Sequence, residues 1–320
     1  MGRMYGYGDV RLFAGSGSQD LAKEISEYLS VPISGHDLVE FQNQNLFVRL
    51  HGSVRGQDVY LIQSMGPPVH RNLMELLITI DTLKRDSAGR ITAVFPYMAY
   101  ARSDKKDQPR VPITARLVAD MIEVAGADRY MTIDLHAGQI QGFFSIPGDV
   151  LTAFHLLSDY FLSKNLENVV VATADLGFAK KGRNFAAKLG VPLAFIEKRR
   201  KGEDGKARAT TVIGEVEGKD VIMVDDEVLT GGSMVEAASI VRDHGARDVY
   251  FSFTHALLVP PAIEEMAAES AICEIVTTNT LPIPPEKILP KMTILSIAPL
   301  LAEVILRAHE GRSVGELFNE

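Results

Sequence analysis

Cysteine is almost missing from this chain: Cys273 is the single one in 320 residues. One thiol makes no internal disulfide, so no disulfide framework holds the fold, and a reducing cytoplasm is the expected setting. Long apolar runs are missing as well. No stretch approaches the ~20 uncharged apolar residues that a membrane-spanning helix needs. The opening MGRMYGYGDV holds no apolar core of signal-peptide length. Basic residues are in deficit, with 33 Lys plus Arg against 41 Asp plus Glu and a net charge of −8. That balance disfavours a nucleic-acid or anionic-membrane surface, while leaving room for local basic patches.

What is present is a globular composition, 46% hydrophobic and 23% charged, in a length comfortable for two domains. Short apolar runs at residues 59–63, 91–95, 130–134, 169–172, 221–224, 249–253 and 272–277 read as buried strands. Between them, Leu73, Leu76, Leu77, Ile80 and Leu83 share one helical face. Leu117, Met121, Ile122, Val124 and Ala125 suggest another. Such alternation predicts parallel sheets covered on both faces. The segment SIPGD at 145–149 interrupts the rhythm and puts a domain boundary near residues 150–152.

The most informative segment is VDDEVLTGGS, residues 224–233. Asp225 and Asp226 follow an apolar strand directly, at the edge where open α/β sheets bind ligands. Thr230-Gly231-Gly232-Ser233 then leads into a helix-like stretch. Its glycines admit close backbone approach, and amides of the turn and helix start face an anion. Thr230 and Ser233 add hydroxyls, and the two carboxylates can accept from a vicinal diol. The segment therefore reads as a cradle for the ribose and 5′-phosphate of a phosphoribosyl compound. The plainer alternative is a helix entered through a Gly-rich turn after two capping aspartates.

Further blocks extend this reading. FPYMAYARSDKKDQPR (95–110) precedes VPITARLVADMIEVAGADR, then DLHA (134–137) and GQIQGFF, and APLLAEVILRAHEGRSVGELF closes the chain at 298–318. In this order and spacing they resemble the ribose-phosphate pyrophosphokinase family over nearly all of the sequence. The resemblance implies two phosphoribosyltransferase-like domains, each a mainly parallel sheet flanked by helices. Residues 1–151 would carry ATP and oligomer contacts. Residues 152–320 would carry the ribose 5-phosphate site and a flexible catalytic loop, with the last segment able to pack back on the first domain.

The resemblance also implies an activity: Mg²⁺-dependent transfer of the diphosphoryl group of ATP to the 1-hydroxyl of ribose 5-phosphate. The products are 5-phosphoribosyl 1-diphosphate and AMP. By the same resemblance, His136 and Asp175 help to hold magnesium, and Lys198 and Arg200 of FIEKRR stabilise the transition state. Asp225, Asp226, Thr230, Gly231, Gly232 and Ser233 bind ribose 5-phosphate. Phe41, Asn43, Asn45 and Arg102 contact ATP, and Ser53 with Arg55 match part of an allosteric site. The family assembles as homo-oligomers, a hexamer built from dimers, in which the segment around Phe41 reaches a neighbouring subunit. The charged KGEDGKARA that follows FIEKRR reads, by composition, as a mobile surface loop.

Three departures stand out. FQNQN (41–45) replaces the usual FSDGE, exchanging two acids for amides. Ala174-Asp175-Leu176-Gly177 stands where PDAG is usual, and Leu229 stands where a third acid usually precedes TGG. Two competing readings remain: a phosphoribosyltransferase that shares the DD…TGG loop, and a non-catalytic regulatory partner. The DLHA and KRR blocks and the two-domain length argue against the first. Retention of His136, Asp175 and Lys198 argues against the second.

Overall fold

The computed structural model describes residues 6–174, 176–199 and 209–318. The chain forms two compact units: Met1–Thr152 with Thr280–Pro282 and Ser296–Glu320, and Ala153–Asn279 with Ile283–Leu295.

The first unit runs β1 (Val10–Ala14), α1 (Gln19–Leu29), β2 (His36–Glu40), β3 (Leu46–Leu50), β4 (Asp58–Ile62), α2 (Val69–Arg85), β5 (Arg90–Val94), α3 (Thr114–Ala125), β6 (Arg129–Ile133) and β7 (Gly148–Leu151). Five strands make a parallel sheet in the order β1-β4-β5-β6-β7, while β2 and β3 pair antiparallel as a separate hairpin. Every residue of β4 is buried. This is why its sequence is a continuous apolar run rather than an alternating one.

Leu73, Leu76, Ile80 and Leu83 are buried on α2, as their spacing predicts, while Leu77 is only partly buried and Asn72, Glu75 and Thr79 share the covered face. The face read for α3 needs correction. Ala115, Val118, Ala119 and Ile122 are buried, whereas Leu117 is 55% and Val124 83% exposed. Two alanines lie on the covered face and larger apolar side chains lie outside, the reverse of what residue size suggests.

SIPGD does not simply break the rhythm, because β7 begins at Gly148 and pairs parallel with β6. A Cβ at Gly148 would lie 2.0 Å from the Tyr130 ring, so glycine here serves close packing within the sheet.

The second unit runs α4 (Phe154–Ser163), β8 (Val169–Thr173), α5 (Ala179–Leu189), β9 (Leu193–Arg199), β10 (Ala209–Ile213), β11 (Asp220–Val228), α6 (Gly232–Asp243), β12 (Asp248–Ala256), α7 (Ala262–Ala268), β13 (Ile272–Thr278) and β14 (Met292–Leu295). Its sheet has the order β10-β9-β8-β11-β12-β13-β14, parallel except for the β9–β10 pair. Val170, Val221, Met223, Phe251, Phe253 and Ile275 lie in its core. The order grows outward in one direction from β8 and in the other from β11. That makes the β8–β11 junction a topological switch point.

A last helix, α8 (Ala298–Glu310), belongs to the first unit and buries Leu301, Ala302, Val304 and Ile305. Its end is fixed by Asp58, which is fully buried. Arg90 forks onto that carboxylate at 2.7 and 2.6 Å, and His309 Nδ1 lies 2.8 Å from it.

Candidate active site

The sequence places Asp225 and Asp226 just beyond their strand, but β11 continues through both to Val228. The reason is asymmetric pairing. Contact with β8 stops at Met223↔Ala172, while β12 goes on pairing through Val228↔Ala256. The aspartates therefore sit on a strand held on one side, next to the switch point. Each carboxylate is oriented by the next amide. Asp226 N donates to Asp225 Oδ1 at 2.8 Å, and Glu227 N donates to Asp226 Oδ1 at 2.9 Å.

Asp226 is 5% exposed and Asp225 is half-buried. Burial, and then the neighbouring Asp226 charge, push the Asp225 carboxyl up to about 8. A third acid, Glu227, adds to the crowding. Sequence reading passed over Glu227, although its position beside two aspartates is visible in the string.

Folding therefore opposes ionisation of Asp225. Its ordinary value of 3.8 lies below the folded value of about 8, so between those limits the folded chain holds a proton that the unfolded chain has lost. Stability must fall as pH rises through that window and then level off. Asp225→Asn removes the effect. The variant's melting temperature should match the parent's near pH 4 and exceed it by several degrees at pH 8. A difference that is flat with pH would contradict this.

Beyond the strand, Leu229 and Thr230 are exposed, and Val259 N donates to Leu229 O at 2.9 Å. Nothing else in the structure explains a leucine at this position. Gly231 precedes α6 with φ +75, in the left-handed region, where a side chain would be strained. A Cβ there would also approach Met266 Cε to 2.9 Å. Helix α6 starts at Gly232, and the first turn of a helix directs its amides at whatever lies before it. Ser233 is exposed on that turn. The six residues assigned to the sugar phosphate are thus one strand–turn–helix element.

Lys198 lies in β9, its backbone opposite Thr210 of β10, rather than in a loop. Buried Ile196, two residues earlier, anchors the strand. Arg200 and Asp175 lie outside the described residues, as does the charged stretch 201–208.

In the first unit, His136 is exposed three residues beyond the end of β6. The intervening Asp134 has φ +43, a conformation unusual for a non-glycine residue and typical of functional sites. Asp134 N donates to Leu151 O at 2.9 Å, and its Oδ1 accepts from Thr152 Oγ1 at 2.7 Å. Arg102 is exposed beyond β5, on the same C-terminal edge of that sheet.

Phe41, Asn43 and Asn45 form the exposed tip of the β2–β3 hairpin. Gln44, with φ +65, turns the chain, and Asn43 Oδ1 accepts from Asn45 N at 3.2 Å. Ser53 and Arg55 sit before β4, at the opposite edge of the sheet from His136 and Arg102. There Ser53 Oγ accepts from Arg55 N at 3.3 Å.

Among the described residues no group of three or more His, Cys, Asp or Glu forms a metal cage. The donors that are present fit magnesium, which keeps its waters and takes one or two protein ligands beside substrate phosphates. An exposed imidazole, and a carboxyl whose proton affinity its acidic neighbours raise, are suitable partners for a cation or a diol.

Known proteins match this chain along its length. Residues 10–126 match the N-terminal domain of ribose phosphate pyrophosphokinase, and residues 206–319 match the phosphoribosyl synthetase-associated domain. The chain is 48% identical over 310 residues to the ribose-phosphate pyrophosphokinase of Caldanaerobacter subterraneus, covering 97% of this chain and 98% of that one. Its counterpart from Synechococcus elongatus is 46% identical over 310 residues, covering 97% and 93%. The crystal structure of phosphoribosylpyrophosphate synthetase from Mycobacterium smegmatis superimposes with a TM-score of 0.90 at 43% identity, covering 95% of this chain and 99% of that one.

Proposed function

The chain belongs to the ribose-phosphate pyrophosphokinase family, and we propose that it transfers the β,γ-diphosphoryl group of ATP to the 1-hydroxyl of ribose 5-phosphate. The observation that carries this is the β11–turn–α6 element at the switch point. Two oriented carboxylates there precede a glycine turn into a helix start, a fit for a diol joined to a phosphate.

Asp225 and Asp226 hold the ribose hydroxyls, while Thr230 to Ser233 hold the 5′-phosphate. That leaves O1 directed at the β-phosphorus of ATP. The O1–P bond forms, the bond from the β-phosphorus to the oxygen bridging to the α-phosphate breaks, and AMP departs with that oxygen. The 1-hydroxyl proton is lost to solvent. Little covalent help is needed, because alignment and charge neutralisation carry most of such a reaction. Magnesium held by His136 and Asp175, together with phosphate oxygens and water, would supply part of that neutralisation. Lys198 and Arg200 supply the rest, on the oxygens that gain charge. Phe41 offers its ring to adenine, Asn43 and Asn45 its hydrogen bonds, and Arg102 pairs with phosphate.

The active form is a homo-oligomer in this reading, a hexamer built from dimers. Leu117, Val124 and Met74, at 55, 83 and 48% exposure, leave apolar surface on α2 and α3 that a second copy would cover. Ser53 and Arg55 belong to a regulatory anion site, and their place on the far sheet edge supports a role separate from catalysis. A cytoplasmic setting suits the exposed thiol of Cys273. No described helix is long and apolar enough to cross a membrane.

Purified protein given Mg²⁺, ATP and ribose 5-phosphate should form AMP and phosphoribosyl diphosphate in equal amounts, and neither without the sugar. ATP hydrolysis that ignores the sugar, or no turnover with any nucleotide, would overturn the proposal.

A further inference from the structure

We infer that Glu227 is a third carboxylate of the sugar site, accepting a hydrogen bond from the 1-hydroxyl of ribose 5-phosphate and so aiming O1 at the β-phosphorus. The inference rests on the assignment of Asp225 and Asp226 to the diol, and of Thr230 to Ser233 to the 5′-phosphate, above.

Side chains two apart on a strand share a face. In β11 this sets Asp225 with Glu227, both half-buried, on one side, and Asp226 with Val228, both buried, on the other. The exposed Leu229 follows in the row of Asp225 and Glu227. The two more accessible carboxylates of the strand end are thus neighbours along one row. The charge of Glu227 is felt at Asp225, whose proton affinity it helps to raise.

Pairing decides where that row opens. Among the described residues no strand pairs with the β8 side of β11 beyond Met223. The other side is closed by β12. There Glu227 lies in register with His255, which is 3% exposed, and Asp225 with Phe253, which is fully buried. A carboxylate with a buried row on one side is left the open edge, where the switch point offers room for a ligand.

The substrate has a matching need. In its ring form ribose 5-phosphate carries hydroxyls on C1, C2 and C3. Asp225 and Asp226 take the vicinal pair, and the glycine turn takes the phosphate. The 1-hydroxyl is the donor that remains, and a donor left unpaired in a closed site weakens binding. Glu227 is the next acceptor in the row. The acid absent at Leu229 would stand two positions further along it, and the extra methylene of glutamate makes up part of that distance. Glu227 then aligns O1, and the proton passes to solvent as the O1–P bond forms.

Four measurements separate this role from a structural one. Glu227→Val should raise KM for ribose 5-phosphate about 10-fold and lower kcat about 10-fold, with KM for ATP within about twofold of the parent. Glu227→Gln keeps the shape with a weaker acceptor and should fall between. Moving the carboxylate along the row, in Glu227→Val/Leu229→Asp, should return both values to within about threefold of the parent. As an inhibitor, 1-deoxyribofuranose 5-phosphate lacks the hydroxyl in question, so its affinity should differ less than about twofold between the parent and Glu227→Val.

Unchanged ribose 5-phosphate kinetics in Glu227→Val, in a parent that turns over, would overturn the role of Glu227 alone. An equal loss of affinity for the 1-deoxy sugar would overturn it too, because the effect would not pass through O1. A double variant no better than Glu227→Val would do the same. Should Glu227→Val fail to fold, a Glu227→Gln protein with the parent's kinetics would decide against the role. A parent that makes no phosphoribosyl diphosphate would remove the site assignment, and Glu227 with it.

Discussion

Lys198→Ala is expected to lower kcat by about 10²–10³, or ~3–4 kcal/mol, the scale for losing one donor aimed at developing charge. Diphosphoryl transfer concentrates charge on the bridging oxygen leaving with AMP and on the non-bridging oxygens around the reacting phosphorus. A lysine ammonium placed there costs no reorganisation at the moment of reaction, so its loss is felt in the transition state. The backbone at Lys198 is held in β9 against Thr210. Ribose 5-phosphate binds through β11 and α6 in the proposed site, so its KM should stay within about threefold of the parent. Single-turnover rates measured beside steady-state KM values separate the two effects. A variant within threefold of the parent rate would remove Lys198 from the transition state.

Asp226→Ala is expected to have the second large effect, mostly on the sugar. Hydrogen bonds to a charged group contribute about 1.5–3 kcal/mol each, so KM for ribose 5-phosphate should rise about 10- to 100-fold. The carboxylate is 5% exposed and oriented by the Glu227 amide, which makes it a prearranged acceptor. A sugar lacking one hydroxyl provides the control. The parent should discriminate against 2-deoxyribose 5-phosphate, and the variant should discriminate much less if Asp226 takes the 2-hydroxyl. Undiminished discrimination in both Asp226→Ala and Asp225→Ala would show that the diol is bound elsewhere. The stability gain expected for Asp225→Asn at pH 8 has the same origin.

The parallel core was legible where both faces of a strand are covered. The run at residues 59–63 falls within one residue of β4, because burial on both sides demands apolar sequence, and the run at 272–277 falls within one residue of β13 although Cys273 is exposed and Glu274 interrupts it. The β2–β3 hairpin was not legible. HDLVE and LFVRL mix charged and apolar residues, and most of their surface is exposed or half-exposed. Nothing local said that they pair with each other rather than with the main sheet. The α3 face was misread because helical spacing alone does not say which of two apolar stripes is covered.

The strand–turn–helix element assigned to the sugar phosphate was readable as an element because it is contiguous. A strand, two aspartates and a glycine turn leave their order in the string, although the strand's extension past the aspartates depends on β12. The contacts of Arg71 with Glu40 and of His70 with Tyr100 could not be read, because partners 31 and 30 positions apart are brought together only by the folded chain. Asp134 gave a partial signal through its place in DLHA, but its left-handed backbone is a property of the loop between β6 and β7.

In the proposed reaction O1 of ribose 5-phosphate attacks phosphorus and keeps its bond to carbon. Phosphorus NMR of the product made from ribose 5-phosphate labelled with ¹⁸O at the 1-hydroxyl tests this directly. The label should lie in the bridge between C1 and the diphosphate, with an isotope shift on the phosphorus next to it and none on AMP. Product with an unlabelled bridge would mean that the C1–O bond breaks, which contradicts diphosphoryl transfer and returns the chain to phosphoribosyl-transfer chemistry.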